Sequence, residues 1–175
     1  MKLAGPLSRT LALAGLLIVT ASAATPVYAA KADIDLLKTY IGAWKGRGTL
    51  VGADSESVVC RLTLSDGNGD KVNYSGRCSL AGQNLSVNGT LLYNDAGRRF
   101  EAAMTTNATF SGTAIGQRQG SGVVFNLREK EKDEEGNEMT ITAAIILGSN
   151  KIGVDFQVIF NATGDMLKAQ VPFTK

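Results

Sequence analysis

From about residue 43 to residue 173, apolar and polar residues alternate, and each alternating run ends in a short cluster of Gly, Asn, Asp or Ser. A period of two is the signature of a strand with one face buried and the other in water. Such runs follow one another at hairpin spacing. Between them lies no helix long enough for the crossover that parallel strands need. The chain is therefore expected to be all-β, an antiparallel up-and-down β-barrel of about ten strands with a short N-terminal helix. Closure is expected because an open meander of this length would leave two exposed edges. A two-sheet sandwich is the alternative arrangement of the same strands.

The clearest hairpin fixes a register. Val58, Cys60, Leu62 and Leu64 alternate with polar residues, as do Val72, Tyr74, Gly76 and Cys78, and Asp66–Asp70 between them is rich in turn formers. Folding about Gly69 sets Cys60 opposite Cys78, Leu62 opposite Gly76 and Leu64 opposite Tyr74. Both apolar sets then share a face, so register and alternation agree. The pair reads as a structural disulfide. A two-residue turn near Asn94–Gly97 would set Leu91 opposite Phe100. The charged run Glu129–Glu138 reads as a solvated hairpin tip, and its spacing matches no EF-hand loop.

Residues 1–30 have the order of a signal peptide: Lys2 and Arg9, an apolar core Leu11–Val19, then small residues at Ala21–Ala23 and Ala29–Ala30. Cleavage is expected after Ala29 or Ala30, with Ala23 as the alternative. The single domain is then 31–175, exported to a bacterial periplasm or secreted, with no membrane anchor. An even cysteine count suits that oxidising compartment. The whole chain has 18 Lys+Arg and 16 Asp+Glu; the leader holds two of the basic residues and no acid, leaving 16 of each. A neutral balance predicts neither nucleic acid nor an anionic membrane surface as partner. Asp33–Ile41 reads as a short helix, with Asp33 as N-cap, Gly42 as stop, and Ile34, Leu37 and Ile41 on one face.

The first strand opens on Tyr40-Ile41-Gly42-Ala43-Trp44-Lys45-Gly46-Arg47-Gly48, and Trp44 is the only tryptophan. A short helix followed by Gly42-x-Trp44 and an antiparallel meander resembles the lipocalin and fatty-acid-binding-protein (calycin) barrels. The wider run Leu37-x-x-Tyr40-Ile41-Gly42-x-Trp44-x-Gly46-x-Gly48 looks most like the start of the ten-stranded nitrobindin-type barrels. The stretch itself reads as the first strand of a small barrel, with Trp44 plugging one end. The resemblance implies a haem held by a histidine near the C-terminal end, but this chain contains no histidine, so no cofactor is expected. Lipocalins tend to pair the first-strand tryptophan with an arginine of the last strand. Here the last strand offers Lys168 and Lys175.

The lack of histidine also excludes Ser-His-Asp and Cys-His nucleophiles, and no Gly-rich segment joins a strand to a helix to cradle phosphate. The chain is not expected to be an enzyme. Its inward faces mix large residues with glycine and alanine. The expected role is to bind a small apolar ligand in an internal cavity lined by Trp44, Tyr74, Tyr93, Phe100, Met104, Phe110, Phe125 and Phe156. The alternative is a solid-core envelope module, a protein inhibitor included, that binds a protein partner through its surface. Its candidate surfaces are the 129–138 tip and the outward apolar group Val51, Ile115, Ile146 and Ile159.

Overall fold

The computed structural model describes residues 26–80, 82–107, 111–133 and 135–175. One helix, α1 (Pro26–Lys38), precedes ten strands: β1 (Gly42–Val51), β2 (Ser55–Asp66), β3 (Val72–Leu80), β4 (Gln83–Asn94), β5 (Arg99–Thr106), β6 (Ser111–Gln119), β7 (Gly122–Lys132), β8 (Glu138–Gly148), β9 (Lys151–Phe160) and β10 (Met166–Thr174). Each strand pairs antiparallel with the next, and β1 pairs with β10, so the sheet closes into a ten-stranded barrel. That closure excludes the sandwich. Residues 1–25, where the leader is expected, lie outside the described residues, as does Phe110.

The β2–β3 register is the one expected: Cys60 opposite Cys78, Leu62 opposite Gly76, Leu64 opposite Tyr74. Cys60 and Cys78 are joined by a disulfide. The β4–β5 register differs from expectation. Tyr93 faces Phe100 and Leu91 faces Ala102, because the turn takes four residues, Asp95–Arg98, rather than two. Arg98 closes it with φ 47°, a left-handed conformation that asparagine and glycine signals did not mark. A shift of two residues preserves the faces, so the inward set is unchanged. The hairpin tip is shorter than the 129–138 run: Glu129–Lys132 belong to β7 and Glu138 to β8, and between them Asp133 accepts from the backbone N–H of Glu135 and Asn137.

The helix starts seven residues before the expected Asp33 and stops at Lys38. Pro26 occupies its first position, where a missing N–H leaves nothing unpaired. Asp33 is consequently not a cap. It lies mid-helix, and its carboxylate takes the guanidinium of Arg118 from the end of β6. Lys38 makes a second tie, to Asp66 at 3.2 Å and Asp70 at 3.8 Å in the β2–β3 turn. Leu37 is fully buried and Leu36 and Ile41 pack against the core. The helix therefore covers the barrel end where β1, β3, β5, β7 and β9 begin.

Trp44 seals that end. It is buried, its indole N–H donates to the Tyr40 carbonyl at 2.8 Å, and the Lys175 ammonium stands 4.9 Å from its ring centroid. Lys175 also donates to the Ile41 carbonyl at 3.1 Å. Of the two last-strand lysines, it is thus Lys175 that covers the tryptophan, held there by cation–π attraction. At the same end, Tyr93 meets Phe100 and Phe100 meets Phe125 edge to face, at centroid distances of 5.1 and 6.3 Å.

Candidate functional site

Ten strands of alternating side chains enclose more space than this chain fills. Trp44, Tyr93, Phe100 and Phe125 crowd the helix end. Farther along the axis the inward positions carry aliphatic or small residues, among them Leu62, Gly76, Val87, Ala143, Ile145 and Ala169, and a cavity of about 250 Å³ remains. Its walls come from β1–β5 and β8–β10. Leu80, Leu85, Thr106 and Leu167 stand at the end opposite α1 and are half-buried, so that end is its mouth. The exposed lining is apolar throughout.

Of the residues expected to line a site, Tyr74, Met104 and Phe156 do so. Trp44, Tyr93, Phe100 and Phe125 belong to the packed helix end instead. Cys60 and Cys78 face the cavity, so the disulfide is part of its wall. Reasoning from sequence missed the aliphatic majority, including Leu62, Leu64, Leu91, Ile152 and Val154. Their inward parity was readable; their height along the barrel was not.

Tyr74 brings a hydroxyl to the wall, and it is already engaged. Its hydroxyl crosses Gly89 to donate to the Ala103 carbonyl at 3.0 Å. A side chain at position 89 would collide with that hydroxyl and carbonyl, so glycine is required there. Burial holds the phenol above its usual pKa. The unfolded chain ionises near pH 10, so Tyr74's contribution is present below that pH and lost as pH rises through the folded value. In an alkaline titration Tyr74 should ionise only with unfolding, and Tyr74→Phe should make the loss of stability above roughly pH 10 shallower. Phenolate absorbance together with circular dichroism checks this; an unchanged slope in the variant would mean that Tyr74 titrates freely.

With that hydroxyl committed and both cysteines in a disulfide, the described wall presents no free acid, base or thiol. Haem does not fit it. Met104 is the one remaining soft donor, and about 250 Å³ lies below the roughly 300–1,000 Å³ of sites for drug-sized ligands. A second concavity, of about 280 Å³, lies on the outer surface of β7–β10 between Asn126, Thr142, Asp155, Gln157 and Lys168. It mixes polar and apolar lining and faces solvent. The outward apolar residues Val51, Ile115, Ile146 and Ile159 sit on four different strands, β1, β6, β8 and β9, and form no continuous patch.

No protein-family model matches the chain, and no curated protein matches it. Solved structures do resemble it. Rv2717c from M. tuberculosis superposes with a TM-score of 0.63 at 11% identity, over 81% of this chain and 96% of that one. The S-type phycobiliprotein lyase CPES from Guillardia theta superposes with a TM-score of 0.51 at 8% identity, over 83% and 91%. What they share with it is the barrel-type fold. At such identities the likeness is one of fold alone.

Proposed function

We propose that this protein binds a small, neutral, apolar molecule inside the barrel and admits it through the end opposite α1. The observation that carries this reading is the apolar cavity of about 250 Å³ left open above a tightly packed aromatic floor. A cavity of roughly 150 Å³ with similar walls is enough to take benzene. The space here suits a fused ring or a short alkyl chain. The exposed wall is apolar, so a charged head group inside it would lose its hydration without replacement and must stay at the mouth. The absence of a free acid, base or thiol among the described lining residues favours carriage over catalysis.

Export belongs to the same reading. The disulfide suits an oxidising compartment, and among the described residues no helix is long and apolar enough to cross a membrane. Leader removal after Ala23 would leave α1 whole. Removal after Ala29 or Ala30 would cut through its first turn and leave the buried Ala30 at or beyond the new end.

Two measurements test the proposal. Native mass spectrometry of protein taken gently from its own compartment should reveal an apolar cargo that is lost on denaturation, and the polypeptide mass fixes the leader cut. Saturable binding of the dye N-phenyl-1-naphthylamine should then weaken at least ~10-fold in Ala143→Phe, whose ring would occupy the cavity. Dye binding that survives unchanged in a folded Ala143→Phe protein would sink the cavity as the site.

A further inference from the structure

The sum of charges over 31–175 is balanced, but their placement is not. The outward positions of β10, β1, β2, β3 and β4 form one continuous wall, and no Asp or Glu stands on any of them. Lys45, Arg61 and Arg77 are directly opposite one another across β1, β2 and β3, and Arg47 stands two residues along from Lys45. All four are exposed, and among the described residues none has a carboxylate within ion-pair distance. Like charges placed directly opposite on adjacent strands destabilise a sheet. An anionic surface laid against the wall would relieve that repulsion.

Three further observations narrow the partner. The exposed large hydrophobic side chains among the described residues are Val51, Val59, Ile115 and Met166, and three of the four share this wall. Val59 lies opposite Arg47, and Val51 lies opposite Lys168. Val51 and Met166 are at the cavity-mouth end of their strands. No aromatic residue points outward from these five strands, so nothing is offered on which nucleic-acid bases could stack. Cations with interspersed aliphatic side chains, beside the mouth of an apolar cavity, match a lipid surface with anionic head groups.

We infer that the β10–β4 wall docks this protein on an anionic lipid bilayer. The wall stands independently of the cavity reading, and it supplies that reading with a source of apolar ligand. Each cation near an anionic leaflet strengthens binding about fivefold, so the attachment is reversible and sensitive to salt.

The test is co-sedimentation of the purified protein with phosphatidylcholine vesicles containing, or lacking, roughly a third phosphatidylglycerol. Binding is expected only to the anionic vesicles. It should weaken roughly 25-fold in Arg61→Gln/Arg77→Gln. For the unaltered protein it should disappear at about 0.5 M salt, where screening shortens to a few ångströms. Equal binding to both vesicle types, or undiminished binding in the double variant, would overturn the inference. So would displacement from the vesicles by duplex DNA or a sulfated polysaccharide at lower concentration than by anionic lipid, since the wall would then serve a soluble polyanion. Ala143→Phe separates the two proposals: it should release the dye and keep the vesicles. Undiminished vesicle binding in Arg61→Gln/Arg77→Gln, with dye binding intact, overturns the wall and leaves the cavity reading standing.

Discussion

Phe125→Ala is expected to cost about 3–5 kcal/mol of stability, the usual penalty for removing a wholly buried phenyl ring. Phe125 is fully buried, and its ring meets Phe100 edge to face in the floor beneath the cavity. The ring also occupies the space that a side chain would take at Gly116. A Cβ built there would lie 2.6 Å from Phe125 Cδ1 and 2.9 Å from Phe100 Cβ. Register puts all three side by side, since Gly116 pairs with Phe125 on one flank and with Phe100 on the other. This makes the prediction a coupled one. Gly116→Ala should be destabilising in the natural protein and much less so in Phe125→Ala, where the methyl group has room. A coupling of about 0.5–3 kcal/mol is expected from such contacting residues. Denaturant melts of the four proteins measure it. A Gly116→Ala penalty equal in both backgrounds would show that the ring does not fill the glycine's place. The same truncation should also deepen the cavity toward α1, so dyes too long for the natural protein become ligands.

The parts of this molecule that could be read in advance are those fixed by neighbours in sequence. The β2–β3 register followed from one turn and two alternating runs, and the structure places Cys60 opposite Cys78. Inward and outward parity followed in the same way along each strand. Turn length was less legible. The four-residue Asp95–Arg98 turn ends on an arginine at positive φ, which the Asn-Asp-Ala-Gly run did not announce. The helix start was missed because Pro26 lies in a stretch that also reads as leader. The cavity was legible only as a mixture of large and small inward residues. Whether large faces small at one height, or whether the large ones gather at one end, depends on the stagger of all ten strands together. Here Trp44, Phe100 and Phe125 come near the helix-side ends of β1, β5 and β7, and Tyr93 near that of β4. Much of the aromatic volume is therefore spent on the floor, and mostly aliphatic residues are left around the space. Charge was the opposite case: every residue of the cationic wall was visible, but a total over the chain conceals which strands lie side by side.

Replacing both Cys60 and Cys78 with serine is expected to lower stability by more than about 3 kcal/mol. The bond spans 18 positions, and in the chain-entropy model a loop of that size restricts the unfolded ensemble by about this amount. For a domain of this length the melting temperature should fall by roughly 6–12 °C. The native state adds a second reason. Cys60 is buried and both sulfur-bearing residues face the cavity, so two hydroxyls would take the place of a bond in an apolar wall. Cys60→Ala/Cys78→Ala separates the two contributions. Alanine removes the crosslink without adding polar groups, so it should lose the loop-entropy part alone, while the serine pair should be the less stable of the two. Thermal melts of both variants, and of the natural protein with and without reductant, provide the comparison. If the alanine pair melts within about 2 °C of the oxidised protein, the disulfide is not restraining the unfolded chain. Its place in the wall also bears on function. The bond ties β2 to β3 directly beside Leu62 and Gly76, so its loss should loosen that side of the cavity and speed release of the bound dye even at temperatures where the barrel stays folded.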